Sequence, residues 1–171
     1  MTRILISILL FSISFQTFSQ SIIGLGVLPS GTNNPYSSAY GVDDQGSVII
    51  GSGSSADAVA SYDRRFIWSL GNGIQPFAEN SVNISQVSGD GAVIVGTFLS
   101  NTVAFRWSSS MGTELIGGTG TQAFGVNQNG NVVVGTMRGS NDLPLASRWT
   151  HEAGILNLGT LPGGLVQYSY A

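Results

Sequence analysis

The amino-acid sequence predicts an all-β protein made of β-propeller-like repeats, with four-stranded antiparallel blades and an incomplete ring of about three blades. Two observations support this prediction. One short strand–turn–strand motif recurs three times, and each copy is followed by a second block that contains one tryptophan. The composition agrees, because 24 of the 171 residues are glycine and only 9% are charged, which suits short strands joined by turns.

The first block of each repeat is a short strand, a turn and a β-branched strand. Its copies are GVDDQGSVIIG at 41–51, QVSGDGAVIVG at 86–96 and GVNQNGNVVVG at 125–135. The turns carry a structural glycine in each copy, at Gly46, Gly91 and Gly130. Asp-Gly and Asn-Gly, in the second and third copies, are strong hairpin signals because both central residues of the tight turn must tolerate positive φ.

The second block of each repeat places a glycine five residues after a tryptophan. Its copies are RRFIWSLGNGIQPF at 64–77, AFRWSSSMGTELIGG at 104–118 and ASRWTHEAGILNLGT at 146–160. The pairs are Trp68 with Gly73, Trp107 with Gly112, and Trp149 with Gly154. This spacing predicts an aromatic strand, a tight loop and a short apolar strand. One repeat therefore has four strands, and the recurring tryptophans and glycines are predicted to be structural.

The phase of the repeat sets the predicted boundaries. The repeats run approximately over 25–78, 79–118 and 119–160, with the start of a fourth at 161–171. LGVLPSG at 25–31 returns as LGTLPGG at 158–164. The fourth copy stops just where its next Gly-Val strand should start, so we expect a cut C-terminus or a truncated reading frame. Propellers close with roughly 4–8 blades, and this chain has about three. Further blades or self-association would complete the ring. A β-solenoid and a twisted β-sandwich are the alternative architectures.

The N-terminus has the pattern of a secretory signal peptide. An apolar run at 4–15 follows Arg3, and a polar stretch with small residues at the cleavage positions comes next. Cleavage between Ser19 and Gln20 would give a signal peptide, 1–19, and a repeat domain, 20–171. A spanning helix needs about 20 apolar residues, so we expect no membrane span after cleavage. The predicted location is secreted or at the cell surface; a buried N-terminal strand or helix is the alternative.

Three segments together resemble a known family. LGTLPGG, GVNQNGNVVVG and AFRWSSSMGTELIGG are similar to the HAF-type probable extracellular repeats of bacteria, and the resemblance covers nearly all of the chain from about Leu25. The family is named for a His-Ala-Phe tripeptide before the tryptophan. Here the histidine position holds Arg64, Val103 and Leu145, so no role of that histidine carries over. The resemblance implies a secreted or surface-exposed, propeller-like repeat protein.

Metal, cofactor and nucleophilic chemistry are not predicted. The chain has no cysteine and one histidine, His151, whereas a zinc site needs three or four converging ligands. Asp43-Asp44 faintly resembles a calcium loop, but the third copy has no carboxylate there, so turn conformation is the preferred explanation. No motif places His151 near a serine as a general base. With a formal net charge of −3 and no lysine, a nucleic-acid partner is not expected.

Two binding hypotheses remain open from the residues alone. The tryptophans with Phe66 and Phe105 could form an aromatic glycan-binding surface, with Arg106 or Arg148 donating hydrogen bonds to hydroxyls, but recurrence in register favours packing. Binding specificity is better placed in the unequal loops 52–63, 97–103 and 136–145. Paired carboxylates for glycoside cleavage could come from Asp63, Glu79, Asp90, Glu114 and Asp142.

The sequence therefore predicts a non-enzymatic secreted or surface-exposed repeat module for adhesion, ligand display or interaction with a protein or glycan at the cell surface. No catalytic residue is assigned. The alternative function is a fragment of a propeller enzyme that acts on polysaccharide, with part of its active site in blades outside this chain.

Overall fold

The computed structural model describes residues 22–29, 34–56, 63–140 and 142–162. The predicted leader, with its cleavage site at Ser19 and Gln20, lies outside the described residues, as does nearly all of the predicted fourth repeat. The strands are β1 (Ser37–Val42), β2 (Val48–Gly53), β3 (Arg64–Ser69), β4 (Gly73–Pro76), β5 (Val82–Val87), β6 (Val93–Phe98), β7 (Val103–Ser108), β8 (Gly112–Ile116), β9 (Gln122–Val126), β10 (Val133–Arg138), β11 (Pro144–Thr150) and β12 (Gly154–Asn157).

These strands form three antiparallel sheets, each a meander of four consecutive strands. We call β1–β4 blade 1, β5–β8 blade 2 and β9–β12 blade 3. Each blade falls within one of the predicted repeat ranges. The all-β, propeller-like fold of four-stranded antiparallel blades is confirmed, and the ring is not closed. Within the described residues there is no helix long and apolar enough to cross a membrane.

Successive blades pack through two apolar cores. The first interface core joins blades 1 and 2, and the second interface core joins blades 2 and 3. In both, the first strand of the later blade, β5 or β9, contacts three strands of the blade before it. The buried members of the first core are Ile50, Phe77, Val82, Ile84, Val87, Ile94 and Phe105. Those of the second are Val93, Val95, Ala104, Ile116, Ala123, Val126, Val133 and Trp149.

The first strand of every blade bulges at the same place. The pairing register shifts between Ala39 and Gly41 in β1 and between Ile84 and Gln86 in β5. In blade 3 the shift lies between Val134 and Gly135 of β10, the two residues that pair with β9 on either side of its bulge. The glycine that ends each β-branched run lies opposite this bulge, at Gly51, Gly96 and Gly135. An added Cβ at Gly96 would lie 2.2 Å from the Asn83 carbonyl oxygen, so only glycine allows this close approach.

The turns between the first two strands of each blade differ from the tight turn that Asp-Gly and Asn-Gly predict. Gly46, Gly91 and Gly130 have φ of 68°, 74° and 72°, but the residue before each glycine has negative φ. The expectation of positive φ at both members of the pair was wrong. The loop is longer than two residues: the Gly91 amide donates to the Ser88 carbonyl, and the Ser88 amide donates to the Val93 carbonyl, so only the glycine must adopt a left-handed conformation.

One polar side chain closes each of these turns at an equivalent position. Asp43 Oδ1 accepts the amides of Ser47 and Val48 at 2.7 and 3.0 Å. Ser88 Oγ accepts the amide of Val93 at 2.9 Å, and Asn127 Oδ1 accepts that of Val132 at 2.9 Å. The polar residues in the turn motif therefore satisfy backbone donors, in line with the turn explanation rather than a calcium loop.

Asp43→Ala is expected to lower the free energy of unfolding by about 1–2 kcal/mol, because the part-buried amides of Ser47 and Val48 lose their acceptor. Asp43→Asn should change it little, since Asn127 performs the same task in blade 3. Burial raises the pKa of Asp43, but hydrogen bonds from the Ser47 hydroxyl and from backbone amides lower it more, so the net pKa is below the usual value. Denaturant unfolding of the three proteins measures the difference.

The sign of the pH effect follows from that lowered pKa. A carboxyl with a lower pKa in the folded state stabilises the fold above the usual aspartate pKa, and this contribution is lost as pH falls through the lowered pKa. Asp43→Asn should therefore lose stability less steeply than the unchanged protein upon acidification. Equal acid sensitivity of the two proteins would contradict the assignment.

Candidate functional site

The recurring tryptophans lie on the third strand of three different blades. Trp149 is buried in the second interface core, and Trp107 packs partly buried against the first, edge to face with Phe77 at 5.3 Å between ring centroids. Trp68 occupies the same position in blade 1 and is half-buried. Phe66 and Phe105 have no exposed surface. These rings therefore do not form a shared aromatic surface for a glycan.

The second set of recurring glycines begins the fourth strand of each blade. Gly73, Gly112 and Gly154 have φ of 65°, 72° and 67°, a conformation that side-chain-bearing residues adopt at a cost. Each ends a tight loop after the tryptophan strand, where the sequence pattern placed it. All six recurring turn glycines thus have positive φ, which gives a backbone reason for their repetition.

A surface cleft of about 480 Å³ lies where blade 3 meets blade 2. It contains both predicted ligand contacts, Arg106 of β7 and Arg148 of β11. Its other lining residues come from the turn before β10 and from the end of β11 and the loop after it: Asn131, Val132, Trp149, Thr150, His151, Glu152 and Ala153. The cleft is thus assembled at one end of the sheets from two blades.

Arg106 is engaged within the protein. Arg106 is only 9% exposed. Its guanidinium donates hydrogen bonds to Glu114 Oε2 at 3.1 Å and to the Gly130 carbonyl at 3.4 Å. The guanidinium carbon also lies 5.8 Å from the centroid of the Trp149 ring, within the range of a cation–π contact. Because Gly130 and Trp149 belong to blade 3, Arg106 joins two blades, and its donors are directed into the interface.

The outer part of the cleft is polar and exposed. His151 has 84% side-chain exposure, and its Nδ1 lies 3.2 Å from Glu114 Oε1. Arg148 is the equivalent of Arg106 in blade 3. The residue paired with Arg148 on the neighbouring strand is Leu156, whereas the residue paired with Arg106 is Glu114. Arg148, Asn131 and Glu152 can therefore offer hydrogen bonds to a polar ligand, whereas the 8% exposed Trp149 cannot stack on one.

Each of the carboxylates named for glycoside cleavage contacts a different partner within the protein. Asp63 accepts from the Tyr36 hydroxyl, Glu79 accepts from Thr113 at 2.5 Å, and Asp90 accepts from Ser88 at 2.6 Å. Glu114 pairs with Arg106, and Asp142 lies 3.7 Å from Arg138. Within the ranges that the structure describes, no three His, Asp or Glu side chains gather as a metal site would require.

The loops between the two hairpins are shorter than predicted. Strands continue into each predicted loop: β2, β6 and β10 extend to Gly53, Phe98 and Arg138, and β7 and β11 begin at Val103 and Pro144. Thr97 and Thr136 fall within the predicted loops, but they are strand residues that are only 6% and 2% exposed. A buried threonine hydroxyl is satisfied across the blades: Thr97 Oγ1 accepts the Ala123 amide at 3.3 Å.

Sequence reasoning missed the polar contacts between blades. Ser85 Oγ donates to the Ala123 carbonyl at 2.7 Å, and Gln86 Oε1 accepts the Val126 amide at 2.9 Å. The backbone also connects successive turns, from the Asp44 amide to the Gly89 carbonyl and from the Asp90 amide to the Gln128 carbonyl. The polar residues Ser85 and Gln86, at the bulge of β5, were the sequence feature that could have indicated some of these contacts.

Comparison with known proteins shows a likeness to a solved structure. No protein-family model matches the chain, and no curated protein matches it. Among solved structures, the chain is similar to TolB from Acinetobacter baumannii, with a TM-score of 0.50 and 18% identity. The match covers 72% of this chain and 32% of that one, so the chain spans about a third of that β-propeller protein. The likeness shows the fold: these blades are propeller-like.

Proposed function

We propose that this chain is a non-enzymatic, secreted or surface-exposed repeat module for adhesion, ligand display or interaction with a protein or glycan. The observation that carries the proposal is that the recurring residues have structural roles. Turn glycines shape the backbone, while Trp107 and Trp149 pack between blades. The surfaces that differ among the repeats and remain accessible are the polar loops and the cleft. Such surfaces suit recognition better than catalysis.

The predicted signal peptide and the resemblance to HAF-type repeats support an extracytoplasmic location. They also support placing the chain with that group of bacterial proteins. A propeller-like scaffold is compatible with an interaction role, because its rigid blades hold loops and clefts in fixed positions.

The cleft between blades 2 and 3 is the proposed contact surface for a hydroxyl-rich ligand. Arg148 can donate several hydrogen bonds from one planar group, and Asn131 provides both a donor and an acceptor. Because Arg106 is committed to Glu114 and Gly130, it is proposed to shape the cleft rather than to bind.

A glycan array tests the proposal directly. The chain from Gln20 should retain at least one glycan, and Arg148→Ala should weaken that binding about tenfold, as expected for a charged hydrogen bond. Arg138→Ala is the matched control, because Arg138 is exposed at the end of β10 and does not line the cleft. Retention unaffected by Arg148→Ala would contradict the site, and shortened glycan products would favour the polysaccharide enzyme.

A further inference from the structure

Blade 1 departs from the repeat at a group of neighbouring positions. Four of them carry a tyrosine or a charged residue in blade 1 alone: Tyr36, Tyr40, Asp63 and Arg65. The strand pairing gives their equivalents as Ser81, Ser85, Thr102 and Ala104 in blade 2, and as Gly120, Phe124, Pro144 and Ala146 in blade 3. Residues that recur in register maintain the packing of a repeat. Residues that occur in one repeat only are not needed to build a blade, so they indicate a task specific to blade 1.

The register of blade 1 places three of these side chains on one face of its sheet. Ser38 pairs with Ser52, and Ser52 pairs with Arg65, so these three residues share a face. Side chains two residues apart along an extended strand also share a face, which adds Tyr36 next to Ser38 and Asp63 next to Arg65. The Tyr36 hydroxyl accordingly donates a hydrogen bond to Asp63 Oδ1.

Arg65 shows that this face is the one turned towards blade 2. Its Nε donates to the Val82 carbonyl at 3.2 Å, and one of its terminal nitrogens donates to Asn83 Oδ1 at 3.1 Å. Both acceptors belong to β5, the first strand of blade 2. The group therefore lies between two consecutive blades of the chain. We call Tyr36, Tyr40, Asp63, Arg65 and Asn83 the tyrosine cluster.

The two tyrosines of the cluster are held by their hydroxyls, while much of their surface stays open. Tyr36 bonds Asp63, the Tyr40 hydroxyl donates to the Gly51 carbonyl at 3.4 Å, and each tyrosine is 48% exposed. The bond to Asp63 raises the pKa of Tyr36, and partial burial raises that of Tyr40. The charge of Arg65 opposes both rises in pKa, so its guanidinium lies near both rings. Rings fixed in this way offer contact area at a low cost in conformational entropy.

The polar groups beside the rings can still form hydrogen bonds with a ligand. A guanidinium carries several N–H donors in one plane, and the contacts of Arg65 with Val82 and Asn83 use only part of them. An amide side chain donates as well as accepts, so Asn83, whose oxygen accepts from Arg65, offers its nitrogen. The Asp63 carboxylate has a second oxygen that can accept.

We propose that the tyrosine cluster is a saccharide-binding site. A sugar ring combines an apolar C–H face, which packs on an aromatic ring, with hydroxyls that both donate and accept hydrogen bonds. The cluster supplies matching groups: two exposed aromatic rings, the donors of Arg65 and Asn83, and the acceptor Asp63. The recurring tryptophans cannot do this, since they are packed between blades or in separate blades.

This site is separate from the cleft between blades 2 and 3. The cleft is lined by the turn before β10 and the loop after β11, whereas Tyr36 and Asp63 directly precede β1 and β3. The antiparallel pairing puts these two sets of residues at opposite ends of the sheets. One saccharide therefore cannot occupy both sites in the same way, and different substitutions test them.

NMR titration of the chain from Gln20 tests the proposal. The probes are neutral oligosaccharides of glucose, of mannose and of N-acetylglucosamine, and the ring signals of Tyr36 and Tyr40 are assigned by comparison with Tyr36→Phe and Tyr40→Phe. At least one probe should shift both sets of ring signals in a saturable way. Tyr36→Ala and Tyr40→Ala should each weaken its binding about tenfold, the effect of losing a stacked ring. Tyr40→Phe should bind nearly as well as the unchanged protein, because the ring remains.

Phe124→Ala is the matched control. Phe124 is the equivalent of Tyr40 in blade 3 and is 39% exposed, but its blade has Ala146 in place of Arg65 and Pro144 in place of Asp63. Its replacement should leave the titration unchanged. Absence of ring shifts with all three probes would overturn the proposal on the unchanged protein, whatever the substitutions do to folding. Equal weakening by Phe124→Ala and Tyr40→Ala would overturn it as well.

The proposal rests on the proposed function only in taking a saccharide as the kind of ligand, and the two can fail separately. Binding that is lost in Tyr40→Ala and kept in Arg148→Ala upholds the tyrosine cluster and counts against the cleft. Binding that is lost in Arg148→Ala, with no shift of the tyrosine rings, upholds the cleft and overturns the tyrosine cluster.

Discussion

Phe105→Ala is expected to destabilise the protein by about 3–5 kcal/mol, the cost of removing a large buried ring and leaving a cavity. Phe105 has no exposed surface and belongs to the core between blades 1 and 2. Its ring centroid lies 6.1 Å from that of Phe77, on blade 1, and 5.1 Å from that of Phe98. Truncation thus removes contacts within a blade and between two blades. Denaturant unfolding monitored by tryptophan fluorescence measures the change.

The matched control is Phe124→Ala. Phe124 lies on β9 but is 39% exposed and belongs to neither interface core, so its truncation should cost well under half as much. If the two substitutions destabilise the protein equally, blades 1 and 2 do not pack as described.

Gly96→Ala is expected to destabilise the protein by about 3 kcal/mol through overpacking, although it adds a single methyl group. The new Cβ would lie 2.2 Å from the Asn83 carbonyl oxygen and 2.8 Å from Phe105 Cζ. The first contact is with backbone, so relief requires β5 to move away from β6 at the bulge. The loss comes from steric conflict and not from backbone conformation, because Gly96 does not have positive φ.

Gly71→Ala controls for the change of residue type. Gly71 lies in the loop between β3 and β4, and an added Cβ there would have no neighbour within 4 Å. Its effect on the free energy of unfolding should be within about 0.5 kcal/mol. A small effect at Gly96, similar to that at Gly71, would show that β5 does not approach β6 so closely.

The four-stranded blade was predictable because its signals are local and occur three times. Turn glycines such as Gly91, and the five-residue step from Trp107 to Gly112, mark the ends of strands in every copy. A match that arises by chance in one copy can be recognised because the other two copies lack it. The type of turn was not predictable from the Asp-Gly and Asn-Gly pairs alone, because residues outside the pair, such as Ser88, set the loop length through their own hydrogen bonds.

The packing between blades was less accessible to sequence reasoning. Which face of a strand meets the next blade depends on the bulge in the first strand, and no residue pattern located that bulge. Arg106 shows the consequence. Its position before a tryptophan suggested a ligand contact, but cross-strand pairing with Glu114 and adjacency to Gly130 direct its guanidinium into the interface. Contacts between residues 24 positions apart follow only from how the sheets are stacked.

The central claim is that consecutive sheets pack as blades through one repeated interface. Native-state amide hydrogen exchange, resolved by residue, tests it most directly. The Asp90 amide bonds the Gln128 carbonyl, and the Val126 amide bonds Gln86 Oε1, so both report on the contact between blades 2 and 3. They should exchange much more slowly than the Asn131 amide, whose acceptor is within its own exposed turn. Exchange of Asp90 and Val126 as fast as that of Asn131 would contradict the packing of these blades.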